Sequence, residues 1–193
     1  MSKNNEIAAL EILKARYTDH GAIYDNFVKS ESPDWHNEID NIGLEVTEAI
    51  SQEDGEFDNT LGKEYHKGAS LNELKSMDKK RKFDNRFIEH PEYGGNYGLF
   101  YFGDSDIVEA VRKKLEKLNK EHFKRFELNW LFIYNKYEIP EENYLIAQLK
   151  KLQVKYNNGY SVYFIYECFA HDEGNRLYAI QASDWSWRKI CSM

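Results

Sequence analysis

The chain has 193 residues, 41% of them hydrophobic and 31% charged, with a net charge of −7. This balance is typical of a folded protein with one well-filled core, and no stretch approaches the roughly 18 consecutive apolar residues of a membrane span. The two cysteines lack the spacing of a zinc site or a disulfide framework, and the first residues do not resemble an export signal, so we expect a cytoplasmic protein.

Acidic residues are concentrated in the first third of the chain. Residues 1–60 hold 4 Lys and Arg against 14 Asp and Glu, whereas residues 61–125 hold 15 against 11. Dense carboxylates favour a bound cation, although a solvated acidic surface explains the same count. The negative net charge also argues mildly against a nucleic-acid partner, because affinity for phosphates comes largely from Lys and Arg.

Hydrophobic spacing predicts a mixed order of helices and strands. In chain order we expect a helix at 6–17, a short strand at 23–28, a strand at 42–47, a polar insertion at about 51–90, a glycine-rich and aromatic loop or short strand at 90–103, a helix at 105–122, a strand at 126–134, a helix at 140–156, and strands at 160–169 and 176–182. This order predicts a single domain over residues 1–193, of the α/β class, with helices on the faces of a mixed sheet.

Two carboxylates flank a turn in the acidic third of the chain. Asp34 precedes a turn centred on 39–41, and Glu45 follows it within a strand that alternates strictly between its two faces. Antiparallel partners are symmetric about their turn, so Asp34 is expected within one or two residues of directly opposite Glu45, with Cβ atoms about 5 Å apart. Because such close like charges repel, we predict a site for Mg²⁺ or Mn²⁺, which prefer oxygen ligands.

The motif around these carboxylates resembles that of a known superfamily. Ser-Pro-Asp at 32–34, followed after ten residues by Glu-Val-Thr at 45–47, resembles the motif of the PD-(D/E)xK phosphodiesterases, in the version found in many bacterial nuclease-like proteins. The resemblance implies a restriction-endonuclease-like αβββαβ core with flanking helices. It also implies metal-dependent hydrolysis of phosphodiester bonds in nucleic acid, with DNA the expected substrate.

The same resemblance implies a set of metal ligands. Asp34, Glu45 and the backbone carbonyl of Val46 are expected to hold the ion, and a glutamate on the first helix adds a ligand in many members. Glu11 is our candidate for that glutamate, with Glu6 as a second choice, although either side chain is also explained as solvent-facing.

The chain departs from the family pattern at one position. Thr47 stands where the motif has its lysine, and a hydroxyl brings no positive charge, so either the cation comes from elsewhere or catalysis is weak or absent. Lys114 interrupts an otherwise apolar stripe of the helix at 105–122, and this superfamily is known for moving its lysine onto a helix. We therefore predict Asp34, Glu45, Lys114 and Thr47 as the catalytic group. Lys114 snorkelling into water is the equal alternative, and Lys117 is the reserve candidate.

One concentrated basic segment is the candidate for contact with a nucleic-acid backbone: it comprises Lys79, Lys80, Arg81 and Lys82. A solvated helix in the insertion explains these residues more simply. Among the histidines, only His36 is expected on the face of Asp34, and none has zinc-ligand spacing.

Two other kinds of protein remain alternatives to a nuclease. One is a non-catalytic nuclease-fold module that binds a protein or nucleic acid, which Thr47 and the acidic net charge favour. The other is a globular protein whose hairpin carboxylates are merely exposed. No GxGxxG or Walker A pattern occurs, so a nucleotide cofactor is not indicated.

Overall fold

The computed structural model describes residues 3–50, 64, 67–70, 72–74, 76–77, 87–89, 97–99, 106–136, 139–168 and 175–190. The chain divides into two compact units, one formed by residues 1–49 and 105–193 and the other by residues 50–104. The second unit contains the segment at 51–90 for which the sequence predicts an insertion, and it extends to residue 104.

The described residues form helices and strands in a mixed order along the chain. They are α1 (Lys3–Arg16), a 3₁₀ helix (Thr18–Asn26), β1 (Val28–Lys29), β2 (Trp35–Asn37), β3 (Ile42–Ala49), β4 (Phe87–Glu89), β5 (Tyr97–Leu99), α2 (Ile107–Leu118), β6 (Leu128–Asn135), α3 (Glu142–Lys155), β7 (Val162–Glu167), β8 (Arg176–Gln181) and β9 (Ser186–Ile190). Strands β4 and β5 pair with each other within the smaller unit, and the other strands belong to the larger unit.

The larger unit is built on a seven-stranded mixed sheet in the order β1-β2-β3-β6-β7-β8-β9. The three middle strands β3, β6 and β7 run parallel, while the pairs on either side are antiparallel. Parallel neighbours need crossover connections, and these carry α2 between β3 and β6 and α3 between β6 and β7. The structure thus confirms a mixed α/β protein.

Helices cover both faces of this sheet. One core, which includes Leu44 and Val46 of β3, lies under α1 and the 3₁₀ helix. The other core contains Leu131 and Ile133 of β6 and lies under α2 and α3. Because side chains alternate along a strand, Glu45 points to the face that α2 covers.

Two edge regions differ from the sequence expectation. Residues 23–26, expected in a strand, belong to the 3₁₀ helix, and only Val28–Lys29 pairs in the sheet. The buried Tyr24 explains the difference, because its hydroxyl donates to the Tyr17 carbonyl at 2.8 Å and its ring contacts the core. Strand β9 was not expected, since as an edge strand it has no fully buried residue to mark its pattern.

In the part of the chain that the structure describes, no helix combines the length and the apolar character needed to cross a membrane.

Candidate functional site

The turn between β2 and β3 sets the register of the two carboxylates. The Asn37 side chain closes this turn by accepting from Asp40 N at 3.0 Å and donating to the Asp40 carboxylate at 2.7 Å. Asn41 completes it in the left-handed region at φ 54, which asparagine tolerates better than most residues. This local chemistry fixes which residues of the two strands face each other.

Asp34 lies directly opposite Glu45. Trp35 pairs with Leu44 and His36 with Gly43, so the next position places Asp34 against Glu45. The Asp34 Oδ2 atom accepts a hydrogen bond from the backbone N–H of Val46 at 2.7 Å, and the residue is 9% exposed. The hairpin therefore presents both carboxylates on one face as cross-strand neighbours.

Glu45 is the most deeply buried charge of the site. It is 1% exposed, and its Oε1 atom accepts from Lys114 Nζ at 3.0 Å and from Lys117 Nζ at 2.5 Å. The two lysines lie three residues apart on α2, so both side chains project from one face of the helix. Two carboxyl groups and two lysine side chains thus form one cluster.

The carboxyl group of Asp34 is harder to ionise than usual. Burial raises its pKa above the ordinary value of 3.8, and the charge of Glu45 raises it further. The nearby charge of Lys114, the Val46 N–H and the charge of Lys117 act in the opposite direction. Asp34 is therefore held close to a second carboxylate that opposes its charge, which is the condition under which a bound cation is favourable.

Gly43 and Phe126 pack beside the segment that precedes Asp34. A Cβ atom on Gly43 would lie 2.7 Å from Phe126 Cδ2 and 3.0 Å from Pro33 Cγ, so only glycine lets these groups pack against the strand. The Phe126 ring also stacks on His36, with 5.7 Å between ring centroids. The segment just before Asp34 is thus fixed by packing on β3.

Tyr160 is a neighbour of the site that the sequence did not reveal. It is 1% exposed, and its hydroxyl donates to the backbone carbonyl of Lys114 at 3.2 Å. Burial raises its pKa, and the charges of Glu45, Tyr163 and Asp34 raise it further, so the hydroxyl stays protonated. Tyr160 lies between a helix and a strand in the sequence, and no local pattern there predicts its contact with α2.

The structure brings together some predicted residues and not others. Asp34, Glu45 and Lys114 meet, and so does the reserve candidate Lys117. Thr47 is half-buried on the same face as Glu45. Glu11 is not brought to the pair: it is exposed on α1, which covers the opposite face of β3.

One further candidate is also outside the cluster of carboxylates and lysines. The other glutamate considered on α1, Glu6, is ion-paired with Lys29. The basic segment at 79–82 lies outside the described residues.

The donor atoms around Asp34 suit a hard divalent cation. Within the described residues, no hydrogen bond engages the second carboxylate oxygen of Asp34. The backbone N–H of Val46 donates to Asp34, so the Val46 backbone lies beside this carboxylate. The described residues contain no group of three or more His, Cys, Asp or Glu side chains arranged to hold a metal. Mg²⁺ needs only one or two carboxylates, with water in its other positions, so Asp34 and Glu45 are donors of the right type, but Glu45 is already held by Lys114 and Lys117.

Comparison with known proteins gives no relative for this chain: no protein-family model, curated protein or solved structure matches it. Its function is therefore argued from the site itself.

Proposed function

We propose that the protein is a nuclease-like enzyme that hydrolyses phosphodiester bonds in nucleic acid, with DNA as the substrate, at a site for Mg²⁺ or Mn²⁺. The observation that carries the proposal is the contact of Lys114 with Glu45 beside Asp34: two carboxylates share one face of a hairpin, and the lysine reaches them from α2. The contact supplies from α2 the cation that Thr47 does not.

Each residue of the site has a role that follows from its chemistry. Asp34, Glu45 and the Val46 carbonyl hold the metal, which when bound acts as a Lewis acid on the phosphodiester and on its attacking water. The Lys114 ammonium stabilises the negative charge that develops during attack. Thr47, on the same face, donates or accepts a hydrogen bond with a water molecule.

The order of elements supports the restriction-endonuclease-like core that the motif resemblance implies. Within the larger unit, and leaving out the 3₁₀ helix, α1, β1, β2, β3, α2 and β6 follow the αβββαβ order, with the carboxylates on the hairpin β2–β3. The lysine comes from the helix that follows this hairpin in the core. Element order and site chemistry therefore support the same superfamily by separate routes.

A second candidate function is a non-catalytic module with the same fold. Thr47 and the pairing of Glu45 with two lysines favour it, because a carboxylate already neutralised within the protein has less need of a metal. Such a module would bind a protein or nucleic acid through its surface without cleaving it.

A cleavage assay separates the two functions. Plasmid and single-stranded DNA are incubated with the protein and with variants Asp34→Asn and Lys114→Met, in the presence of Mg²⁺, Mn²⁺ or EDTA. We expect metal-dependent cleavage, lowered by about 100-fold or more in either variant, because each removes a group that acts on the reacting atoms. Glu31→Gln, an exposed carboxyl three residues from Asp34, is the matched control and should cleave like the unaltered protein.

Two results would contradict the nuclease. Cleavage that persists in Asp34→Asn would show that the activity comes from another site or a contaminant. Absence of cleavage with either metal, in protein shown to be folded by circular dichroism, would favour the non-catalytic module.

A further inference from the structure

Two lysines share a single oxygen of Glu45. Lys114 Nζ lies 3.0 Å from Oε1, and Lys117 Nζ lies 2.5 Å from Oε1 and 3.4 Å from Oε2. One ammonium group suffices to balance one carboxylate. The second ammonium group therefore either balances the charge of the neighbouring Asp34 or lies where another cation would bind. Among the described residues, Lys117 makes its ion pair with Glu45 and not with Asp34.

The two lysines differ in how firmly they are placed. Lys114 is the less exposed, at 18% of its side chain, and its backbone carbonyl accepts the hydrogen bond from the buried Tyr160. Lys117 is 34% exposed, and its ammonium lies 5.5 Å from the centroid of the Phe123 ring. An aromatic face at that distance attracts a cation. In the position in which it pairs with Glu45, Lys117 thus already contacts a second favourable partner, and it lies nearer the solvent than Lys114.

A divalent ion on Glu45 would be incompatible with both ammonium groups in their present positions. A metal needs a lone pair of the carboxylate oxygens, and repulsion between cations a few ångströms apart is severe in a partly buried site. The lysine that gives way is the one with more exposure and an alternative partner, and that lysine is Lys117.

We propose that Lys117 is a built-in counter-cation for Glu45, which a divalent metal displaces while Lys114 stays in contact. The proposal rests on the proposed function, because it concerns the same metal site. Without metal, Lys117 neutralises the buried carboxylate and keeps the hairpin and α2 together. With metal, its ammonium moves toward Phe123 and solvent, so the protein binds metal more weakly than the two carboxylates alone would allow.

The first test is direct binding of Mn²⁺, followed by the electron paramagnetic resonance signal of the free ion. Lys117→Met removes the competing cation, so we expect it to bind Mn²⁺ about tenfold more tightly than the unaltered protein, equivalent to about 1.4 kcal/mol. Lys114→Met should give a smaller gain. Lys113→Met, which removes an exposed lysine of the same helix, is the control for a general loss of positive charge and should change little.

The second test follows the movement of Lys117 itself. Reductive methylation of lysines, read by mass spectrometry, should become several-fold faster at Lys117 when Mn²⁺ is added and should not change at Lys113. In Glu45→Gln, the metal should no longer alter the labelling of Lys117. A rate at Lys117 that stays constant or falls with metal would overturn the proposal.

The outcomes distinguish this inference from the proposed function. If Mn²⁺ binds the unaltered protein and Lys117→Met equally, the displacement is wrong while the metal site stands. If Mn²⁺ binds neither of them, nor the folded Lys117→Gln variant, the metal site is wrong and the displacement falls with it.

Discussion

At the scale of single residues, the protonation of Asp34 links the site to the stability of the fold. Its pKa is raised in the folded protein, first by burial and then by the charge of Glu45. Below the ordinary pKa of 3.8, Asp34 is protonated in both folded and unfolded states. As pH rises from there, the unfolded chain loses the proton first, so the folded state binds more protons and the free energy of unfolding falls until the native pKa is passed.

The variant Asp34→Asn should remove this pH dependence, because the amide does not ionise and its oxygen still accepts from Val46 N–H. Urea unfolding from about pH 4 to about pH 7 is the measurement, and the free energy of unfolding of the unaltered protein should decline with pH relative to that of the variant. The exposed control Glu31→Gln should keep the unaltered profile. Parallel profiles for the protein and Asp34→Asn would contradict the raised pKa.

Residue types alone predict part of this site. The turn residues and strand alternation are enough to predict Asp34 opposite Glu45, and a lysine in an apolar stripe points to Lys114. The same pattern does not tell which of two lysines three residues apart reaches a carboxylate, and in the structure both do. Glu11 was predicted near the carboxylates and is not there, because helical spacing does not reveal which face of the sheet a helix covers.

At the scale of elements, periodic segments are predicted best. The helices expected at 6–17, 105–122 and 140–156 correspond to α1, α2 and α3, since each alternates apolar and polar residues at helical spacing. The 3₁₀ helix and β9 are missed. Both lie at the margins of the larger unit's core, where tertiary contacts such as those of Tyr24, rather than local pattern, decide the conformation.

The packing of β2 and β3 on Phe126 gives a prediction at this scale. In Gly43→Ala, the new methyl group would clash with the Phe126 ring and with Pro33, so we expect a loss of about 1 to 3 kcal/mol in the free energy of unfolding. Chemical denaturation measures it. The double variant Gly43→Ala, Phe126→Leu should recover part of the loss, because the smaller side chain makes room for the methyl group. Unchanged stability in Gly43→Ala would contradict the close packing of Phe126 on β3.

At the scale of the whole molecule, topology brings the charges together. Lys114 follows Glu45 by 69 positions, and the contact depends on the crossover that takes the chain from β3 to the parallel strand β6. That crossover lays α2 over the face of the β2–β3 hairpin on which Glu45 and Asp34 lie. The sequence predicts a mixed sheet and a helix at this point, but the pairing of β3 with β6 is a long-range choice that local pattern does not contain.

The uneven charge distribution along the chain is partly balanced by contacts in the folded protein. The first third is strongly acidic, and the basic middle segment includes Lys114 and Lys117 of α2. In the folded larger unit, part of this excess is balanced at the site, where two lysines face two carboxylates. The lysines of the protein therefore balance part of the acidic excess that suggests a bound cation, and the proposed metal would have to compete with them.

Anomalous diffraction from crystals grown with Mn²⁺ measures this competition directly. We expect a manganese peak within coordination distance of Asp34 and Glu45, with Lys114 still in contact with Glu45 and Lys117 turned toward Phe123. Data from crystals of Asp34→Asn, grown in the same way, should lack the peak. Both carboxylates free of manganese, with Lys117 still on Glu45, would contradict the metal site on which the proposed nuclease depends.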